Sequence, residues 1–414
     1  MKRRVPWWLI ALLSVTLLAL LAVNQITADF THTTNVLLSD ENAPCDAVKP
    51  KISTSADHSW IAVAWIQEKE KAGDECYDNL GHVMLRWATE QETPDGWQGP
   101  LTVFDIDNNS CINDVDVALD DTTAHLVATA QEPCVGTESS NVYYRTCDLQ
   151  TEECAAQTII YQENDVDVSG IRVLDVALTL DQNGNPHVVY NRIDATSTEP
   201  DWVRTSETWY TRQNTSGNWT RLKLGDNAYH PNITWSYSTV DGQGYVHVVW
   251  ENHEYQSGNV SDFNGRAHYR RCPDDIEKSG GAIDCDSNPD YNSTFVANTH
   301  PRPSIIAEGD DITLFWNRCA SFEPNPPCEL LSLLYERSTT GGWSFADPKA
   351  VRTNQNITYE THKYHGTDDE SEEYAFSLRP AAVANDEGLP IVAWQVENPD
   401  YDGGYTITTT LVTS

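Results

Sequence analysis

Cationic side chains recur at one position of a repeating pattern. Lys49, His230, Arg302 and Arg379 each stand directly before a proline, and Lys51 follows just behind the first of them. An arginine offers a planar fork of donors to a carboxylate, a lysine a point charge, and a histidine a donor near neutral pH. Amide and acid side chains recur at a second position, at or just past the end of an apolar segment: Gln67, Gln131, Asn191, Glu251, Asn317 and Gln395. Brought to one place, the two sets make a polar site with locally positive groups, suited to an anionic or polyhydroxylated ligand. Asp114, Asp116 and Asp175 lie near the same segments as carboxylates for general acid or base work. His125, His187 and His247 occupy equivalent places in successive units, which holds them apart rather than gathering them on a metal. His362 and His365, with Asp368, Asp369, Glu370, Glu372 and Glu373, read as a solvated loop or a hard-cation site. No metal and no cofactor is expected.

These residues are placed by a repeat. Five segments end alike, in Ile61-Ala-Val-Ala-Trp65, His187-Val-Val-Tyr190, His247-Val-Val-Trp250, Ile312-Thr-Leu-Phe-Trp316 and Ile391-Val-Ala-Trp394, and His125-Leu-Val-Ala-Thr129 fits without the aromatic. Each unit reads as four strands. A first strand opens at the proline; a turn such as Asp181-Gln-Asn-Gly184 or Asp241-Gly-Gln-Gly244 leads to the β-branched second strand; a third strand carries Tyr144-Arg145, Tyr269-Arg270 or Tyr335-Glu336-Arg337. Gly96-Trp97, Gly217-Asn218-Trp219 and Gly342-Trp343 then turn the chain into a short fourth strand. No helical period is sustained. Six four-stranded antiparallel units make an all-β, six-bladed β-propeller. The last unit stops after its third strand, and Asn35–Leu38 is expected to supply the missing one and close the ring. Residues 29–414 are then a single domain.

Residues 1–28 set the compartment. Lys2-Arg3-Arg4 precede an apolar run from Val5 to Val23, which reads as a signal peptide or an uncleaved membrane anchor. Either way the remainder is exported, so the protein is extracellular, touching the membrane only through residues 5–23. Ten cysteines agree with an oxidising compartment. Their places in the repeat pair Cys45 with Cys76, Cys111 with Cys134, Cys147 with Cys154, Cys272 with Cys285 and Cys319 with Cys328. Against 26 Lys and Arg stand 62 Asp and Glu, a net charge of −36. That excludes a nucleic-acid partner and docking on anionic lipid, and suits a soluble monomer.

The blades and their Gly–Trp turns resemble the sialidase-like superfamily with its Asp-box (BNR) repeats. Thr93-Pro94-Asp95-Gly96-Trp97, Thr215-Ser216-Gly217-Asn218-Trp219 and Thr339-Thr340-Gly341-Gly342-Trp343 are shortened versions of that box. The resemblance implies a carboxylate-binding arginine cluster, a Tyr–Glu nucleophile pair and an acid/base Asp. Arg302 and Arg379 match two of the arginines. Lys51 stands where the first is expected and cannot make its bidentate fork. Tyr229 with Glu251 is the candidate nucleophile pair, and Asp114 and Asp175 are candidate acids. The departures favour an exported propeller that binds a glycan, or another small polar or anionic ligand, without hydrolysing it. The alternatives are an exo-sialidase-type glycoside hydrolase with an altered anion pocket, and a membrane-held assembly or sensor domain.

Overall fold

The structure is a computed structural model. It describes residues 47–356 apart from 58, 72–74, 90–95, 105, 107–109, 134–138, 165–170, 195–205, 215–216, 256–262, 275–284, 286–290, 293–295, 298–302, 320–329, 343 and 347–348, and beyond them the strands 361–362, 373–374, 381–384, 390–397 and 405–411. Every strand pairing among them is antiparallel, and no helix occurs among the described residues.

The first sheet orders Ala47–Thr54, Trp60–Lys71, Glu75–Thr89 and Gln98–Thr102. The second orders Cys111–Asp120, Thr123–Glu132 and Ser139–Asp148, with Thr158–Asn164 and the short Glu153–Cys154 on its outer edge. A single pairing of Leu80 with Cys111 links the two. The third orders Ile171–Leu180, Pro186–Asp194, Ser206–Gln213 and Trp219–Asp226. The fourth orders Ala228–Ser238, Gln243–Tyr255 and Phe263–Pro273, with Tyr291–Asn292 and Val296–Ala297 outside. The fifth orders Ser304–Glu308, Asp311–Cys319, Leu330–Ser338 and Lys349–Asn356. A small ribbon, Thr361–His362 with Glu373–Tyr374, precedes the three strands Ala381–Ala384, Pro390–Glu397 and Tyr405–Leu411.

First strands pack on first strands. Ala47–Thr54 lies against Cys111–Asp120, which lies against Ile171–Leu180, then Ala228–Ser238, then Ser304–Glu308, then Ala381–Ala384. Sheets stacked in this way bury both faces, so second strands read as continuous apolar runs rather than alternating ones. All but the end residues of Thr123–Glu132 are buried. The core is correspondingly a series of inter-sheet layers. One joins Ile66, Leu85 and Trp87 to Ile112 and Leu126; one joins Val127 and Val142 to Val176 and Tyr190; one joins Val189 and Tyr210 to Val246 and Trp250; one joins Val249 and Tyr269 to Leu314 and Trp316.

Polar groups fasten the same layers. Asp114 accepts the N–H of Val176 at 3.2 Å and Asp116 that of Leu178 at 2.8 Å. Ser53 accepts the N–H of Leu119 at 3.1 Å, and Asn232 that of Ile305 at 3.3 Å. The hairpin turns follow the expected chemistry: the Asp181 carboxylate accepts the N–H groups of Asn183 and Asn185 at 2.8 and 2.9 Å, and Gly184 takes φ 74°.

Two disulfides form as expected, Cys147–Cys154 and Cys272–Cys285. Cys111 is disulfide-bonded, and its expected partner Cys134 lies outside the described residues. Also outside them lie Cys45, Cys328, the apolar run Val5–Val23 and the closing segment Asn35–Leu38. The side chains of Cys76 and Cys319 are likewise undescribed. No helix among the described residues is long and apolar enough to cross a membrane. One expectation is corrected. The x-Pro pairs at Lys49-Pro50 and His230-Pro231 do not open their strands, which begin at Ala47 and Ala228; the prolines sit inside them, at bulges.

Candidate functional site

The bulges build the site. In the first sheet Val48 pairs with Ile66 and Lys51 with Ala64, so Lys49 and Pro50 together face one residue, Trp65. In the fourth, Tyr229 pairs with Glu251 and Asn232 with Val249, so His230 and Pro231 face Trp250. The third sheet bulges at Leu174 and Asp175, opposite Asn191, and the second at Asn113. A proline brings no N–H to a ladder, and a bulge is where a strand interior tolerates that. The extra residue also bends the strand and re-aims its side chain. Lys49 and His230 take φ 53° and 47°, the left-handed region, which a residue before proline ordinarily avoids.

Four bulges on adjacent first strands bring their polar groups together in one arc. Lys49 Nζ donates to the carbonyl of Asn113. Asn113 Nδ2 donates to the carbonyl of Val173 at 3.0 Å, and its Oδ1 faces Gln131 Nε2 at 3.4 Å. Thr129 donates to the carbonyl of Leu174 at 2.5 Å. Asn191 Nδ2 donates to Asp175 Oδ2 at 3.1 Å, and Thr208 donates to Asn191 Oδ1 at 2.8 Å, which fixes the amide. The same Asp175 oxygen lies 3.2 Å from His230 Nδ1, and both side chains remain partly exposed, at 22% and 28%. The arc thus presents a cation, the partly exposed Asn113 amide and a carboxylate–imidazole pair to solvent, with the Gln131 and Asn191 amides buried behind them.

The remaining sequence candidates fall in different surroundings. Glu251 is 0% exposed, opposite Tyr229, and both have partners. Asp114 is 5% exposed and committed to the Val176 N–H. Burial pushes the Asp116 carboxyl up, and Lys51 draws it partly back. Asn317 and Gln395 sit on second strands opposite Leu333 and Ile407, with side chains not described. Arg302 and Arg379 lie outside the described residues, as do His365 and the acids 368–370 and 372. No cluster of three or more metal-binding side chains occurs among the described residues.

The three equivalent histidines have a shared structural partner that the sequence reading missed. His125, His187 and His247 Nδ1 lie 2.7, 2.6 and 2.7 Å from the hydroxyls of Tyr144, Tyr210 and Tyr269 on the adjacent third strands. The signal was there: each tyrosine follows its histidine by 19 to 23 residues, the reach of one hairpin. Burial lowers His125 to about 4 and His247 to about 3.

No protein-family model matches the chain, and no curated protein matches its sequence. Solved structures do match its fold. The GH93 α-L-arabinofuranosidase of Fusarium graminearum, in complex with arabinobiose, superposes with TM-score 0.50 at 10% identity, over 92% of this chain and 97% of that one. The α-L-arabinanase of Penicillium chrysogenum, also with arabinobiose, gives 0.51 at 9% identity, over 87% and 93%. At this identity the likeness is one of fold. With the stacking of first strands, it defines the chain as a β-propeller built of antiparallel sheets.

Proposed function

We propose that this chain is an exported, monomeric β-propeller that binds a glycan at the arc of bulged first-strand residues, without hydrolysing it. The observation that carries this reading is the arc itself: Lys49, Asn113, Asp175 and His230, from four successive sheets, tied together through the Asn113 and Val173 carbonyls and the Asp175–His230 contact, and each at least partly exposed. Arg302 and Arg379 precede prolines as Lys49 and His230 do, so the same bulges would carry them into the arc, with Asn317 and Gln395 beside them. Lys51 would add charge behind Lys49. The reading includes six blades of sialidase-like kind, closure of the ring by Asn35–Leu38, a single domain over 29–414, and a leader or anchor in 1–28 that carries it to the cell exterior. Two solved propellers that hold arabinobiose support a sugar as the first ligand to test.

Binding is preferred to hydrolysis because a general acid must reach the glycosidic oxygen. Asp114 and Glu251 are buried, and Asp175 is held by Asn191 and His230. A glycoside hydrolase is the second reading, and the partial exposure of the Asp175–His230 pair favours it. A glycan array on the exported chain, run beside fluorogenic arabinofuranoside and sialoside assays, tests both. Binding without turnover supports the first reading. Turnover abolished by Asp175→Asn supports the second, and neither binding nor turnover refutes the glycan assignment.

A further inference from the structure

A second polar recess lies outside the arc. Where the third sheet hands over to the fourth, Gly225 and Asp226 of one and Trp250, Asn252, His268 and Arg270 of the other enclose a cleft of about 220 Å³. It opens at the same end of the sheets as His230, because Asn252 pairs with Ala228, two residues before the bulge. Two of its acceptors are already used. The Asp226 carboxylate pairs with Lys223 at 2.8 Å, and the Asp226 carbonyl accepts Asn252 Nδ2 at 2.8 Å. Its donors are not. Trp250 is 3% exposed and its Nε1–H has no partner. Arg270 Nε is buried without a partner, and the guanidinium forms no ion pair or hydrogen bond among the described residues. An unpaired arginine in a chain of net charge −36 is anomalous unless something else supplies its acceptor.

Gly225 is what opens the cleft. A Cβ there would lie 3.0 Å from Trp250 Nε1 and 3.2 Å from its ring carbons. The indole is tilted against His268, with ring centroids 5.6 Å apart, so the pocket has aromatic walls with donors between them.

We propose that this cleft is a second ligand site, for a single sugar ring bearing a carboxylate, with Arg270 and the Trp250 N–H holding the carboxylate. Charge-assisted bonds from two desolvated donors select an anion, and the volume and aromatic wall suit one six-membered ring. The inference goes beyond the arc and does not depend on it.

The test is calorimetric titration of the full exported chain with D-glucuronate, D-glucose and acetate. Glucuronate is expected to bind more tightly than either of the others. Arg270→Gln is expected to weaken it about tenfold or more, with an unchanged melting temperature, because its guanidinium bonds to nothing else among the described residues. Gly225→Ala is expected to weaken it as well: its backbone suits any residue, and the added methyl closes the cleft. His230→Ala should leave it unaltered. Absence of glucuronate binding, equal affinity for glucose or acetate, indifference to both Arg270→Gln and Gly225→Ala, or loss in His230→Ala would each overturn the assignment.

Discussion

Lowering the pH from 7 to 5 should cost this protein about 4 kcal/mol of stability through two histidines alone. His125 and His247 are 7% and 1% exposed, and each shares a hydrogen bond with a buried tyrosine. Burial lowers them from 6.5 to about 4 and about 3. At pH 5 both are therefore neutral in the folded chain and mostly protonated in the unfolded one. The unfolded state binds more protons, so stability falls as pH falls below 6.5 and goes on falling until the folded values are reached. For each histidine the protonation ratio at pH 5 is roughly thirtyfold, or about 2 kcal/mol after the small term at pH 7 is subtracted. The figure depends little on the folded value, since both lie well below 5. Asp57 and Asp181, lowered to about 2, begin to lose their contribution only near 3.8; Asp116, raised by burial, acts in the opposite sense to the histidines, and the double variant separates the two because it leaves Asp116 in place. Urea unfolding followed by tryptophan fluorescence, with disulfides intact, measures the effect. With a slope of about 3 kcal/mol per molar, the midpoint should fall by somewhat more than 1 M between pH 7 and 5. A His125→Asn/His247→Asn double variant should lose most of that fall, whatever its stability at pH 7. Coincident midpoints in the wild type, or an undiminished fall in the double variant, would refute the reasoning.

Other perturbations follow from particular contacts. Gly342 has φ 85°, and a Cβ on it would stand 1.9 Å from the hydroxyl of Tyr269, which His247 holds in place; Gly342→Ala should cost about 2–4 kcal/mol in the same urea assay. Cys147 and Cys154 close a loop with sequence separation 7, so replacing both with serine should cost about 2–3 kcal/mol, and non-reducing peptide maps should show that bridge together with Cys272–Cys285 and Cys111–Cys134. Deleting residues 29–40 should expose the edge of Tyr405–Leu411 and cause aggregation, seen as a shift in size-exclusion elution; a monomer with an unchanged melting temperature contradicts ring closure.

The blade pattern was legible because its signals are local. Asp181 through Gly184 makes a turn with its own side chain, and the run after it is apolar because neighbouring sheets cover both faces. The bulges were half legible. A proline inside a strand signals one, but Lys49-Pro50 and His230-Pro231 read equally well as strand starts, and only the register separates the two. Asn113 and Asp175 bulge with no proline, and only the register against the second strand reveals them. The contact between Asp175 and His230 joins residues of different sheets, so no spacing within one hairpin encodes it. The burial of Asp114 and Glu251 was hidden for the same reason: it is imposed by the next sheet, and the residue type alone suggests exposure. The cleft beside Trp250 depends on a glycine from the preceding sheet and had no signal in its own segment.

The central claim is that the arc of bulge residues binds the glycan. Its most direct test is a calorimetric titration of the strongest array ligand, with arabinobiose as the starting probe, against the wild type, His230→Ala and the Arg302→Ala/Arg379→Ala pair. The account predicts at least tenfold weaker binding in both variants, with melting temperatures close to the wild type. Unchanged affinity in both, or binding abolished instead by changes at the Gly–Trp turns on the opposite face, would contradict it.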